Sequence, residues 1–397
     1  MNIKSRLWVL IFFFISGATG LIYEVVWTRL LTLVMGNTHY SIATVLTIFM
    51  AGLAIGSYLG GRWVDERTNP LFFYAILEGA IGVYCLLIPS IIDGASPLFE
   101  WVYQTQTDSY FKASLFRFSI CGIILLIPTS LMGATLPALS KYVSRDYAFV
   151  GRDVGTLYSF NTFGAVFGAL SSAFIFMRIF GVTTTIWITA ALNIGIAVTI
   201  YFLFRSDVLA ASNEELDTTK ESKEASSLDF NSVFVLLSFG FSGWCALTYQ
   251  ISWNRILSLL LGSSIYAFSL ILTTFILGLA LGTIVFSRIV NLFKNPQVVF
   301  GFLQLGIGVS SLTIVPLFEK IPFINRWVYE NWSVDFTTIQ WSVFLVIFCF
   351  LFIPTFFMGG QFPVVVRLIV RKLDSLGRSV GKVYASNTFG TIIGSFL

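Results

Sequence analysis

The chain has 397 residues, 56% apolar and 11% charged, with a mean hydropathy of +0.84 and a net charge of +4. A soluble globular chain carries about 25% charged residues, so this composition excludes a soluble enzyme body and gives no basis for a nucleic-acid partner. Its one histidine, His39, excludes histidine-based catalysis and a His-rich metal site, and its four cysteines sit inside apolar runs as small hydrophobes.

Apolar runs of about 20 residues, enough to cross roughly 30 Å of hydrocarbon, recur along the whole chain. The first helix is expected over Leu7 to Val34. Lys4 and Arg6 precede it as in a signal peptide, but the run is too long for a signal core, so it reads as a retained span. The second covers Ser41 to Gly61, with Gly52, Gly56 and Gly60 at the small-xxx-small spacing that lets helices approach closely in lipid. A charged loop, Arg62 to Pro70, precedes a third helix over Leu71 to Ile92 that contains Glu78. A loop from Asp93 to Lys112 carries Trp101, Tyr103 and Tyr110 as an interfacial aromatic set. The fourth helix, Ala113 to Tyr142, contains Pro128 and Pro137, which predict kinks. The fifth spans Gly155 to Phe180 with Asn161 inside it, and the sixth Thr184 to Phe204. Between Arg205 and Asp229 there are seven acids, three bases and no aromatic residue, the composition of a solvated linker.

The chain then repeats itself. Ser16 to Arg29 returns as Ser242 to Arg255, a shift of 242 − 16 = 226 residues. The register holds through Tyr40 and Tyr266, Gly52 and Gly278, Pro128 and Pro354, Pro137 and Pro363, Tyr158 and Tyr384, and Asn161 and Asn387. So constant a shift marks a tandem repeat. The expected organisation is a first six-helix repeat over 1–204, an acidic linker over 205–229 and a second, incomplete repeat over 230–397, about 11 helices in all. By the same shift Leu397 corresponds to Ser171, inside the fifth helix of the first repeat, so the second repeat is expected to lack its end.

Of the 24 Lys and Arg residues, 17 fall on the side of the N-terminus and linker and 5 on the other, with Arg29 and Arg255 inside helices. The positive-inside rule then places the N-terminus in the cytoplasm of a multi-pass inner-membrane protein. Six helices per repeat make the halves parallel, as in major-facilitator transporters.

Glu24 is the sharpest single residue. A charge at the bilayer centre costs about 2.5–3.5 kcal/mol even on insertion scales, so Glu24 should face the bundle interior, on the face shared by Gly17, Gly20 and Trp27. Two readings stay open: a site for a proton, a cation or a cationic solute, or a carboxyl hydrogen-bonded to a neighbouring helix. Gln250 at the matching position removes a symmetric charge role, and Glu78 is likewise matched by Gln304. Tyr23 and Tyr249 accompany the pair. Arg29 and Arg255 lie about 140° round the helix from Glu24 and Gln250; snorkelling to the outer interface and a substrate role both stay open. Trp27 and Trp253 are expected as interfacial anchors rather than cavity walls. Asn161 and Asn387, each within Tyr-x-x-Asn-Thr-Phe-Gly, are expected to hydrogen-bond across helices in packing. Pro128, Pro137, Pro354 and Pro363 are expected to break the fourth and tenth helices, which would line a cavity with the first and seventh. The stretch Gly61 to Arg67 resembles the major-facilitator loop motif, whose charges form a latch; Arg62, Asp65 and Arg67 are the residues in question.

Phosphate-binding glycine loops, zinc spacings and nucleophile–base sets do not occur, so no catalytic residue, metal or cofactor is expected in this chain. The segments Gly20 to Arg29, Gly52 to Ser57, Leu131 to Pro137 and Gly155 to Ala165 resemble the membrane region of the fused major-facilitator (MFS)/spermidine synthase-like family. That resemblance implies an all-α, MFS-like membrane module in a lipid bilayer, handling a small solute of cationic, polyamine-like character. It also implies a Rossmann-type, aminopropyltransferase-like domain beyond Leu397 or on a separate chain. A non-transporting anchor or regulator of such a domain, and a structural role, remain alternatives, and an oligomer stays open.

Overall fold

The computed structural model describes residues 3–35, 39–105, 110–204, 229–261, 265–331 and 335–395; the linker reading for 205–228 lies outside them. Among the described residues the chain is helical, with no strand. The first half consists of α1 (Ile3–Met35), α2 (His39–Asp65), α3 (Pro70–Thr105), α4 (Tyr110–Val143), α5 (Val150–Ser171) and α6 (Met177–Leu203). The second consists of α7 (Phe230–Leu261), α8 (Ile265–Ile289), α9 (Pro296–Ile314), α10 (Phe336–Ile369) and α11 (Leu376–Ser395), with a short lateral helix, Ile321–Asn331, between α9 and α10. Nine stretches of the described residues are long and apolar enough to cross a membrane. One of them, Tyr147–Leu203, holds both α5 and α6. The break between these two passes is Gly181, at φ 75° and ψ −179°, a conformation that only glycine adopts without strain.

The repeat is visible in the packing. α1 packs on α5, α2 on α4 and α3 on α4; at the shifted positions α7 packs on α11, α8 on α10 and α9 on α10. The halves meet through α2 with α11 and α5 with α8. The α1–α5 and α7–α11 crossings are each built on a glycine. A Cβ on Gly17 would collide with the backbone of Asn161, and one on Gly243 with that of Asn387. At the same crossings Asn161 Nδ2 donates to the Phe13 carbonyl at 3.0 Å, and Asn387 Nδ2 to the Phe239 carbonyl at 3.0 Å. Every residue in one set is 226 positions from its counterpart in the other. Each asparagine thus bonds across to a second helix.

Two expectations are corrected. The loop expected over Asp93 to Lys112 is mostly helix, since α3 runs on to Thr105 and α4 begins at Tyr110. Gly94, Ser96 and Pro97 read locally as a turn, but Ala95 and Phe99 are buried in the core of the first half, and that packing overrides local propensity. Trp101 lies on this helix, exposed and edge-on to Phe116 at 6.1 Å; the side chains of Tyr103 and Tyr110 are outside the described residues. The prolines of α4 and α10 also do not break them, for both helices run unbroken through their two prolines. Pro128 deprives the Ile124 carbonyl of its helical donor, and the Tyr84 hydroxyl replaces it at 3.0 Å. Such substitution is how helices in lipid tolerate proline.

At the end of the bundle that carries the basic loops, one apolar core runs across both halves, from Leu71, Leu139 and Val154 to Val365, Ile369 and Val380. At the opposite end each half keeps its own core, around Trp27 and Leu125 in the first and around Trp253 and Ile347 in the second. The halves share one core at the basic end; toward the other end they meet through a smaller cluster, Val25, Ala165 and Ala169 with Leu272 and Ile276, and through Ser269 Oγ, which donates to the Ala169 carbonyl. Gly17 and Gly20 offer a test of the glycine contacts, since a Cβ at Gly20 would meet nothing within 4 Å. Gly17→Ala should destabilise the protein by about 1–3 kcal/mol. Gly20→Ala should be neutral or stabilise it by roughly 0.5–1 kcal/mol. Thermal melting of the two variants in detergent checks this, and equal melting temperatures would contradict the packing described.

Candidate functional site

Between the halves lies a cavity of about 220 Å³. α1 contributes Leu21 and Glu24, α5 contributes Tyr158, Asn161 and Thr162, and α7 contributes Ser242 and Gln250. Gln361 and Phe362 come from α10, and Tyr384, Asn387 and Thr391 from α11. α4 gives no lining residue among those described, contrary to the expectation that the fourth helix lines the cavity. α4 packs against Gly52 and Gly56 of α2 through Thr129 and Ser130, and α2 supplies Phe49, Met50 and Leu53 to the wall.

Glu24 is the only charged side chain among the described lining residues. It is 4% exposed, and no hydrogen-bond or ion-pair partner for its carboxyl occurs among the described residues. Tyr384 lines the same cavity. Three rings form the floor between the cavity and the basic-end core: Tyr158 and Phe362 at 4.4 Å, and Tyr384 at 6.3 Å from each of them. Tyr158 and Tyr384 are repeat partners, so the floor sits on the pseudo-two-fold relation of the halves, with Phe362 filling the space between them.

The other residues singled out by sequence divide into three groups. Glu78 does not reach the cavity. It is fully buried behind α1, where Ser16 Oγ donates to Oε1 at 2.6 Å and Asn193 Nδ2 to Oε2 at 2.6 Å. Asn193 Nδ2 also donates to Thr19 Oγ1 at 3.2 Å, and its Oδ1 accepts from the Tyr23 hydroxyl at 3.2 Å. Tyr23 and Glu78 therefore belong to an internal network tying α1 to α3 and α6. Gln304 meets Gln361 Nε2 at 3.5 Å. The second group is the tryptophans, which are not interfacial anchors: Trp27 is 0% and Trp253 3% exposed. Each stacks on the tyrosine one turn before it, Tyr23 at 5.0 Å and Tyr249 at 5.2 Å, inside the core of its own half. The third group is Arg29 and Arg255, exposed and off the cavity wall.

The latch reduces to Asp65. Its Oδ1 accepts from the Gly377 amide at 2.9 Å and from Lys141 Nζ at 3.1 Å, and its Oδ2 accepts from the Arg378 amide at 2.8 Å. Those amides belong to the first turn of α11, where helical N–H groups have no partner of their own and a carboxylate is favoured. Asp65 thus ties the two halves together at the basic end. Arg62 instead stacks on the Tyr58 ring at 4.2 Å and bonds its hydroxyl, and Arg67 is exposed. The matching position, 65 + 226 = 291, holds Asn291, whose Oδ1 has no partner among the described residues. Just ahead of α7, Asp229 pairs with Arg371 at 2.6 Å, and the Arg371 and Ser232 bonds push its carboxyl down to about 2.

Sequence reasoning missed Lys141, Asn193, Gln361 and the aromatic floor. Tyr158 and Tyr384 carried a signal, their place in the repeat, whereas Asn193 and Gln361 stood out only as polar residues in apolar runs.

Solved structures that share this fold include three transport proteins. The chain matches a bacterial homologue of the iron transporter ferroportin in an outward-facing state with a TM-score of 0.60 at 13% identity, covering 100% of this chain and 91% of that one. It matches the proton:xylose symporter XylE at 0.57 and 14% identity (100% and 88% covered), and the E. coli fucose:proton symporter FucP at 0.52 and 11% (99% and 90% covered). At these identities the likeness is one of fold, and it defines a multi-pass, MFS-like membrane protein. No known protein-family profile matches the chain. Over 194 residues, 49% of this chain, it is 21% identical to a polyamine aminopropyltransferase of Oceanobacillus iheyensis. Over 203 residues, 51% of the chain, it is 22% identical to polyamine aminopropyltransferase 1 of Streptomyces coelicolor. The matches cover 35% of each of these curated relatives, so the chain spans well under two thirds of their length. An MFS fold with sequence likeness to aminopropyltransferases agrees with the resemblance to the membrane region of a fused MFS/spermidine synthase-like protein.

The Asp65 contact is testable. Val154 is 0% exposed in the core that joins the halves. A Val154→Cys protein should react slowly with a maleimide from the basic side. Adding Asp65→Ala, which removes two helix-end bonds and an ion pair, should accelerate labelling by about tenfold, the equivalent of roughly 1.4 kcal/mol. An unchanged rate would show that Asp65 does not hold the basic end shut.

Proposed function

We propose that this chain is a transport module that binds a small cationic amine in the cavity between its halves and passes it across the membrane by alternating access. The observation that carries the reading is Glu24, a buried carboxylate on the cavity wall with no partner in its own protein among the described residues. A lone charge in such a place is costly and is neutralised by a positively charged occupant. Transporter sites lie between repeats, and residues of both repeats line this cavity. With the basic end in the cytoplasm, as the charge asymmetry indicates, the Asp65 tie and the aromatic floor close the inner side of the cavity. Opening the inner side then requires Asp65 to leave α11 and the Tyr158–Phe362–Tyr384 floor to part.

A second reading has its own observation, the likeness to polyamine aminopropyltransferases over about half the chain. In that reading the helices anchor or regulate a synthase-like domain elsewhere in the whole protein, and nothing crosses. Uptake of radiolabelled amines into proteoliposomes separates the two. Glu24→Gln should reduce uptake at least about tenfold with an unchanged melting temperature. Transport unaffected by Glu24→Gln would sink the first reading, and the absence of any amine uptake would favour the second.

A further inference from the structure

Charge inside a bilayer cavity must be balanced locally, because an unpaired buried ion is costly. The composition of the wall therefore limits the charge of what it holds. Here the first-half wall carries one carboxylate, Glu24. At the pseudo-symmetric position, 24 + 226 = 250, the second-half wall carries the neutral amide of Gln250. Its polar neighbours on that side, Ser242, Gln361 and Thr391, are also neutral. The aromatic floor of Tyr158, Phe362 and Tyr384 also lines the cavity, and ring faces attract ammonium groups. The cavity is also small, about 220 Å³, below the roughly 300 Å³ at which ordinary ligand pockets begin.

We propose that the cavity takes a small aliphatic amine with a single ammonium group, seated at Glu24 over the aromatic floor, whose other end is neutral and hydrogen-bonds to the Gln250 wall. The proposal rests on the solute-site reading above and narrows it: a linear diamine or longer polyamine is disfavoured, because its second ammonium would face only amides and hydroxyls. Gln250 is then the residue that sets charge selectivity. A carboxylate there would make the two walls alike and admit a charge at each end.

The test uses the full chain in lipid nanodiscs and three three-carbon probes, titrated calorimetrically: 3-amino-1-propanol with one ammonium, 1,3-diaminopropane with two and 1,3-propanediol with none. The wild-type protein should bind 3-amino-1-propanol at least about tenfold more tightly than either of the others. Gln250→Glu should reverse the order of the two amines, and Glu24→Gln should abolish the preference for 3-amino-1-propanol over the diol. The wild-type ranking suffices if Gln250→Glu fails to fold. Diaminopropane binding as tightly as 3-amino-1-propanol, or a folded Gln250→Glu protein with the wild-type order, overturns the single-charge proposal while leaving an amine site in place. Equal binding of all three probes, or of none, with Glu24→Gln making no difference, overturns the solute-site reading and this proposal together.

Discussion

Helices in lipid gain little by hiding apolar surface from one another, so their association depends on close backbone approach and on hydrogen bonds across the contact. This bundle meets that constraint twice with the same parts. Gly17 lets α1 press against α5 where Asn161 reaches the Phe13 carbonyl, and Gly243 lets α7 press against α11 where Asn387 reaches the Phe239 carbonyl. The cavity depends on these crossings. They set α1 and α7, α5 and α11 around one central space, and they fix the rotation that turns Glu24 and Gln250 toward it.

The two halves share a frame but not a charge. At three matched positions the first half has an acid where the second has its amide: Glu24 and Gln250, Glu78 and Gln304, Asp65 and Asn291. The amide keeps the size and much of the hydrogen-bonding reach of the acid while removing the charge. Each substitution falls at a different level of the bundle. Asp65 ties the basic end shut across the halves, Glu78 binds α1 to α3 and α6 through Ser16 and Asn193, and Glu24 faces the cavity. Only the last has no internal partner among the described residues. Contacts within the protein account for the first two carboxylates, and the ligand role proposed for Glu24 rests on the third.

Much of the fold was legible in the sequence because lipid imposes simple rules. Span length, the 226-residue shift and the charge asymmetry of the loops identified the helices, the repeat and the parallel halves. What failed was local reasoning where tertiary packing decides. Asp93 to Thr105 looks like a loop until Phe99 is seen to be buried. Trp27 and Trp253 look like interfacial anchors until each is found stacked on a tyrosine in its own core. Glu24 could be singled out from the sequence alone, but its separation from Glu78 could not. Both are acids in apolar runs, and only the position of Asn193, 115 residues from Glu78 in sequence, shows that one is satisfied and the other free.

The central claim is that Glu24, and not Glu78, is the carboxylate open to a solute. Dicyclohexylcarbodiimide, an apolar reagent that attacks carboxyl groups within the bilayer, tests it directly when the modified residues are located by peptide mass spectrometry. The account predicts modification at Glu24, slowed by 3-amino-1-propanol and unaffected by 1,3-propanediol, with Glu78 protected by its two hydrogen bonds under both conditions. Modification of Glu78 in preference to Glu24, or labelling of Glu24 at the same rate with and without the amine, would contradict it.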